Sequence, residues 1–316
     1  MGWNRESKRH SLASQGIKTG RFVKPMLLHR HKGELSDKPD WFGEIKHDGV
    51  RALIHKDGDR VWIQNRQKRD VTNKFPEIVA EIQKLSGNFI IDGELVIIDS
   101  ETGKENEHQV VGKHHRERDK HIYKDILATF FIFDVLSNND EELISLPIEE
   151  RKKILSKIVK DSSLLKIVEM EEDEKALFDK TRGKYEGIVI KRKGSKYFTD
   201  TRSRDWLKGK HQFEKDVFIV GYTEGEGHRE DAFGALIVAT KENGVLTPRG
   251  KVGTGFTDVQ LMQIKKQLDK VPEKQYPFRF KFRDAERFFN PIAAKIKVKD
   301  EGPHGNYVEP VFIKLK

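Results

Sequence analysis

The sequence contains no cysteine. Disulfides, thiol nucleophiles, iron–sulfur clusters and cysteine-ligated zinc are therefore excluded. Hydrophobic residues are sparse, at 36% of 316. No run of about 18 apolar residues occurs, so nothing is expected to span a bilayer. The N-terminus lacks the apolar stretch of a secretory leader, and a cytoplasmic protein is expected. Position 6 is Glu6 rather than Ser or Thr, so Met1-Gly2 is not read as a myristoylation site. Internal repeats and long low-complexity tracts are also missing.

Charge is what the chain has in excess. Charged residues make up 35%, and 60 basic against 51 acidic side chains give a formal net charge of +9. Residues 1–24 hold six Lys and Arg and a single acid, Glu6. This Ser/Gly-dotted basic tail is expected to be disordered and drawn to polyanions. With 19 Phe and 4 Trp there is material for cores, and the length suits two domains.

Patterning places the elements. Trp41–Lys46 and Val50–His55 read as strands around His47-Asp48-Gly49. Lys56-Asp57-Gly58-Asp59 reads as a hairpin turn before Val61–Gln64. Ile78, Val79, Ile82 and Leu85 are spaced for one helix face after Pro76. Phe89–Ile91 and Leu95–Ile98 read as a β pair interrupted by Asp92-Gly93-Glu94. Ala128–Leu136 reads as a buried strand, Leu146–Val159 as an amphipathic helix, and Tyr185–Lys191 as a strand. Near residue 212 the composition shifts to short strands and Gly-rich turns, with one helix at Asp258–Leu268. That combination suits a small barrel such as an OB-fold.

The segment Glu44-Ile45-Lys46-His47-Asp48-Gly49-Val50-Arg51 carries the first chemical suggestion. A tight Asp-Gly turn brings a lysine and an arginine together. A cationic neighbour favours a neutral amine, which can attack an electrophile. The planar fork of the arginine can hold a ribose or phosphate oxygen. Four further segments follow: Asp92-Gly93-Glu94-Leu95, Phe131-Ile132-Phe133-Asp134, Glu186 to Lys191, and Trp206-Leu207-Lys208-Gly209-Lys210. Lys208 and Lys210 share one strand face, because alternate residues point the same way. Each segment alone has a structural explanation as turn, core strand or solvated edge.

In their order and spacing, these segments resemble the motifs of ATP-dependent DNA ligases of the nucleotidyltransferase superfamily. Lys46 to Arg51 resembles the family's KxDGxR, and Asn65-Arg66 falls where the family has Ser-Arg. The resemblance runs from about Pro25 to the end. Gly250 to Phe256 is similar to the second domain of bacterial end-joining-type ligases. The resemblance implies an α+β fold. A nucleotidyltransferase domain of ATP-grasp-like antiparallel sheets with helices is expected over 25–211, and an OB-fold β-barrel domain over 212–316.

It also implies roles. Lys46 would attack the α-phosphate of ATP, and Lys208 and Lys210 would bind that phosphate. Glu44 would contact the adenine edge and Phe133 would stack on the base. Arg51 and Glu94 would lie near the ribose, Asp48 would orient the loop, and Arg66 would take the 5′-phosphate of the nick. Mg²⁺ or Mn²⁺ would be held by oxygen donors such as Glu94 and Glu186. Nicked duplex DNA is the implied partner, and a monomer is the simplest state.

Two departures stand out. Pro310 to Lys316 ends before the family's Asp-Lys pair, which implies a weaker first step unless Lys316 or another cation substitutes. Residues 101–124 gather His108, His114, His115 and His121 with Lys113, Arg116, Arg118 and Lys120. A solvated loop, a DNA-facing loop and a histidine metal site are all compatible with that composition, the last disfavoured by irregular spacing. Two alternatives to the ligase stay open at this point. One is an RNA ligase or a capping guanylyltransferase, and the other is a non-catalytic nucleic-acid-binding protein on the same scaffold.

Overall fold

A computed structural model describes residues 17–31, 39–115, 126–302 and 304–316. The chain divides into two compact units, Met1–Gly209 and Lys210–Lys316. In the first unit β1 (Leu27–Arg30), β2 (Trp41–Lys46), β3 (Val50–Asp57) and β4 (Arg60–Asn65) precede α1 (Pro76–Gln83). Then come β5 (Phe89–Val96), α2 (Glu107–His115), β6 (Thr129–Asn138) and β7 (Glu141–Glu142). The unit closes with α3 (Ile148–Ile158), β8 (Leu165–Ile167), α4 (Glu174–Thr181), β9 (Gly187–Arg192) and β10 (Arg202–Lys210), whose last residue opens the second unit.

These strands make two sheets. One has the order β1-β10-β9-β2, the other β4-β3-β5-β6-β7 with β8 alongside β6. Phe42 and Trp206 of the first sheet and Leu53, Ile90 and Leu136 of the second share one buried cluster with Met26 and Tyr197. The sheets therefore face each other, each presenting the apolar half of its alternation. Beyond the larger sheet, Ile78 and Ile82 of α1 and Leu155 of α3 join a second cluster. On the far side of the smaller sheet Leu177 of α4 covers Ile188 and Ile190. Asp173 starts α4 by accepting the Ala176 N–H at 2.7 Å.

One expectation needs correcting. Asp92-Gly93-Glu94 is not a turn between paired strands but the middle of the continuous β5, buried at seven of its eight positions. Glycine is required there by close approach. A Cβ on Gly93 would stand 2.5 Å from the Phe131 carbonyl oxygen and 2.6 Å from the Phe130 ring. The register with β6 shifts between Asp92 and Gly93, a bulge that a glycine accommodates.

The second unit holds β11 (Phe213–Thr223), β12 (Leu236–Glu242), β13 (Val245–Val252), α5 (Asp258–Leu268), β14 (Ala285–Val298), β15 (Asp300–Glu301), β16 (Tyr307–Val308) and β17 (Val311–Leu315). Five of the strands form an antiparallel sheet in the order β13-β12-β11-β14-β17. Helix α5 begins on a reciprocal cap between Thr257 and Gln260. Its Leu261, Ile264 and Leu268 pack with Val217, Val238, Phe289 and Ile296 of the sheet. Among the described residues no helix is long and apolar enough to cross a membrane.

A buried histidine makes the first unit acid-sensitive. His55 is 2% exposed and tilts onto Trp62, with ring centroids 4.5 Å apart. Its Nε2 lies 3.2 Å from Gln64 Oε1, while Nδ1 is buried without a partner. Burial lowers its pKa from 6.5 to about 4, against a smaller opposing pull from Gln64. The unfolded chain therefore takes a proton between pH 6.5 and 4 that the folded chain refuses. Stability is complete above pH 6.5 and falls by about 3 kcal/mol as the pH drops through that window. Denaturant titrations at pH 7, 5.5 and 4 should show this limb, and His55→Leu should flatten it. An unchanged limb in that variant would assign it to other groups.

Candidate active site

The site is built around the turn between β2 and β3. Strand β2 runs antiparallel to β9, with Lys46 opposite Gly187. His47-Asp48-Gly49 then turns the chain into β3. Only glycine fits at position 49, where a Cβ would lie 2.1 Å from the Leu95 carbonyl oxygen. In β3, Arg51 sits opposite Glu94 of β5. Lys46, Glu186, Arg51 and Glu94 are thereby gathered by register from three widely spaced segments.

Lys46 forms an ion pair with Glu186, whose side chain is 4% exposed against 18% for the lysine. This differs from the cationic neighbour expected for Lys46. The reason is register: Gly187 opposite Lys46 brings Glu186 alongside, whereas Arg51 turns to Asp92. The Arg51 fork is fully engaged there, with Nε to Asp92 Oδ1 at 3.0 Å and Nη2 to Oδ2 at 2.6 Å. Its Nη1 donates to the Met26 carbonyl at 2.8 Å. Tyr197 donates its hydroxyl proton to Asp92 Oδ2 at 2.7 Å and accepts the Met26 N–H at 3.0 Å. Burial opposes the Arg51 charge, but Asp92, Tyr197 and Glu94 outweigh it and hold the guanidinium above its ordinary range.

Glu94 is half-buried between these groups. Burial pushes its carboxyl up to about 8. Lys46 and Arg51 pull it down, and Glu186 and Asp92 push it further up. Glu94 and Glu186 are thus two carboxylates in one another's field. Among the described residues no group of three or more His, Asp or Glu gathers as a closed metal cage. Two carboxylate donors fit Mg²⁺, which characteristically takes one or two protein carboxylates and fills its shell with phosphate oxygens and water.

Glu44 is 2% exposed and lies in ion pairs with Lys152 of α3 at 2.5 Å and Lys191 of β9 at 2.6 Å. Lys191 is almost wholly buried, and burial pulls its ammonium down to about 8 despite Glu44. Its Nζ lies 4.8 Å from the centre of the Phe133 ring and 4.1 Å from that of Trp206. The Arg51 guanidinium lies 5.1 Å from the same Phe133 ring, so two cations border the aromatic predicted to stack.

Lys208 lies on β10, half-buried. Its neighbour Gly209 stands against Ile188 of β9, which puts Lys208 at the Lys46 end of the sheet. Lys210 belongs to the second unit and pairs with Glu309 at 3.0 Å. Arg66 is exposed just beyond β4. Asn65, in the family's serine position, is buried and accepts the N–H groups of Gln67 and Arg69, both at 2.9 Å. A carboxamide oxygen closes this turn as a hydroxyl would. In the second unit Lys316 pairs with Asp216 at 2.7 Å.

Asp92, Tyr197, Lys152, Lys191 and Glu105 are the residues that sequence reasoning left without a role. Asp92 and Lys191 sit inside quoted motifs, whereas Tyr197, Lys152 and Glu105 carry no local sign of their place. Of the basic segment 101–124, Lys113 is buried, donating to Glu77 at 2.6 Å and to the Ile126 carbonyl at 2.7 Å. It is a buried cation held by Glu77 and the Ile126 carbonyl. Residues 116–125, with Arg116, Arg118, Lys120 and His121, lie outside the described residues, as do residues 1–16 of the tail and the side chains of His108, His114 and His115.

Comparison with known proteins bears on most of the chain. The family described as ATP dependent DNA ligase domain matches residues 25–210, and the ATP dependent DNA ligase C terminal region matches 229–316. A DNA ligase of Thermococcus onnurineus (strain NA1) is 34% identical over 269 residues, covering 80% of this chain and 48% of that protein. "DNA ligase 2" of Thermofilum pendens is 31% identical over 306 residues, covering 89% and 51%. The chain spans about half the length of the curated relatives it matches. The crystal structure of the ligase domain of M. tuberculosis LigD is similar at 25% identity and a TM-score of 0.53, covering 93% of this chain and 95% of that one. Two family segments in succession, covering most of the residues, leave one assignment: the chain belongs to the ATP-dependent DNA ligase family.

Proposed function

We propose that this protein uses ATP to seal nicks between a 5′-phosphate and a 3′-hydroxyl in duplex DNA. The observation that carries the reading is the meeting of Lys46 and Glu186, at the end of the smaller sheet, with Glu94 of the larger sheet, inside the segment matched by the family. On this reading residues 25–211 form the nucleotidyltransferase domain and 212–316 an OB-fold domain that engages DNA.

The Lys46 amine attacks the α-phosphorus of ATP. A phosphorus–nitrogen bond forms, the bond to the pyrophosphate oxygen breaks, and the lysine proton passes to solvent or to neighbouring Glu186. The 5′-phosphate of the nick then displaces Lys46 from the adenylate. Last, the 3′-hydroxyl attacks that phosphate and AMP leaves. Splitting one difficult displacement into three in-line steps makes positioning and charge neutralisation the protein's main task.

Phe133 stacks on adenine, Glu44 reads its edge, and Arg51, locked by Asp92, meets the ribose with Glu94. Lys208 and Lys210 neutralise the α-phosphate, and Arg66 takes the nick 5′-phosphate. Mg²⁺ or Mn²⁺, held by Glu94 and Glu186, would supply charge neutralisation at the phosphates. A monomeric, cytoplasmic enzyme accords with this reading.

The test is label transfer. The protein is incubated with α-labelled ATP and Mg²⁺ and run on a denaturing gel, and a second sample is chased with nicked duplex DNA. The expected result is a labelled protein band that disappears on chase as sealed DNA forms. GTP and nicked RNA in parallel separate the capping-enzyme and RNA-ligase alternatives. No label, together with no sealing of a pre-adenylated nick, overturns the proposal in favour of a non-catalytic scaffold.

A further inference from the structure

We infer that Glu105 is a positioning residue for the nucleophile, a clamp on the two residues that follow Lys46. The inference rests on the ligase reading and adds a part to it. Glu105 lies in the turn after β5, and its side chain is 7% exposed. One carboxylate oxygen, Oε2, accepts the Asp48 backbone N–H at 2.8 Å. The other, Oε1, lies 2.5 Å from His47 Nδ1. An ionised carboxylate only accepts, so this contact assigns the proton to Nδ1.

The clamped histidine is itself a junction. Its ring stacks on Phe131 of β6, with centroids 3.7 Å apart and planes 19° apart. Tyr185 meets it edge-on at 5.8 Å, and the next residue, Glu186, is the ion-pair partner of Lys46. The clamp rests on an ordered base. Ile98 and Glu105 form an isolated β-bridge, and the Asn106 N–H donates to the Ile97 carbonyl at 2.8 Å. Asp99 Oδ1 accepts from the Thr102 N–H and hydroxyl, both at 2.9 Å. One acid therefore ties the turn following β5, which carries Glu94, to the loop carrying the nucleophile. Without it the Asp48 N–H and the Nδ1–H of a buried ring lose their partner. The loop would shift, and with it the line between Lys46 Nζ and the α-phosphorus.

This location predicts an unequal effect on the reaction. Lys46 is nucleophile in the first step and leaving group in the second, but in the last the attacking atom is a DNA hydroxyl. Misplacement by about 1 Å costs on the order of 100-fold in a positioned displacement. Glu105→Ala should slow single-turnover self-adenylylation about 10- to 100-fold, yet seal a pre-adenylated nick within about twofold of wild type. Glu105→Gln keeps an acceptor for Asp48 and should lose less. His47→Phe keeps the ring on Phe131, drops the contact to Glu105, and should show the same selective loss. Combined with Glu105→Ala it should add little, because both changes break one contact.

All variants are compared in the full chain, with thermal melting as the folding check. Should Glu105→Ala not fold, His47→Phe decides by the same split between steps. Wild-type adenylylation in the folded variants overturns the clamp, and so does an equal loss in both steps, which a merely structural role would give. A wild-type protein that takes no label overturns the clamp, and if it also leaves a pre-adenylated nick open it overturns the ligase reading. Labelled wild type with equally labelled variants overturns the clamp alone.

Discussion

Lys46→Ala is expected to take up no label from α-labelled ATP and to leave ordinary nicks open, while still sealing a pre-adenylated nick. The loss in the first step should be on the order of 10⁴-fold or more, as for removal of other covalent nucleophiles. The selectivity follows from geometry. On the proposed reading Lys46 contributes the attacking nitrogen, while the groups around it would hold the nucleotide whether or not it is attached to the protein. Truncation also removes the Lys46 ion pair from Glu186, which is 4% exposed. A part of any effect on later steps should come from that carboxylate. Lys46→Arg separates the two contributions. It keeps a cation for Glu186 but supplies a guanidinium, which stays protonated and does not attack. Both variants should be dead in adenylylation, with Lys46→Arg the more stable. A labelled Lys46→Ala protein would move the nucleophile elsewhere, and Lys191 and Lys208 would be the next lysines to replace.

Arg151→Leu is expected to cost about 3–5 kcal/mol of stability in the first unit. Arg151 and Asp134 are both fully buried and joined by a two-pronged ion pair at 2.7 and 2.8 Å. Arg151 Nη1 also donates to the carbonyls of Leu146 at 2.6 Å and Ser195 at 3.0 Å. The arginine thus pins α3 and the turn after β9 to β6. Removing it strands a carboxylate where water does not reach, and an uncompensated buried charge is far dearer than the pair is favourable. The melting midpoint should fall by about 10 °C for a unit of this size. Adding Asp134→Leu to Arg151→Leu should recover much of the loss, since no charge is then left behind. The two peptide carbonyls remain unpaired, so recovery should be incomplete. Thermal and denaturant melts of the two variants settle this. A single-variant loss below about 1 kcal/mol would mean that the carboxylate finds water or a proton.

Asp134 also shows what strand alternation decides. Phe133-Asp134 puts an aromatic and a carboxylate side by side in an otherwise apolar strand. The alternation of β6 separates them, and Asp134 goes to Arg151 while Phe133 borders Arg51 and Lys191. Similarly, Asp92-Gly93-Glu94 reads as a turn because Asp-Gly is a turn former. Inside β5 the aspartate is instead the partner of Arg51 and Tyr197. The glycine answers to a carbonyl on the next strand.

The chain by itself determined what depends on neighbours in sequence. Strand β2 and helix α5 begin and end where alternation and helical spacing place them, Trp41–Lys46 and Asp258–Leu268. The order of the motif segments likewise led to the family. The 14-residue β14 escaped notice, because Pro291 and scattered lysines blur its alternation. Tertiary structure alone decided the partners of each charge. Lys46 meets Glu186 across 140 positions and Arg51 meets Asp92 across 41. Glu44 is divided between lysines of a helix and a strand, and Glu105 reaches back to the loop after Lys46. The reason is range. Propensity, capping and turn chemistry act over a few residues, whereas strand register is set by burial across whole sheets, and a slip of one residue would reverse every side chain in the site.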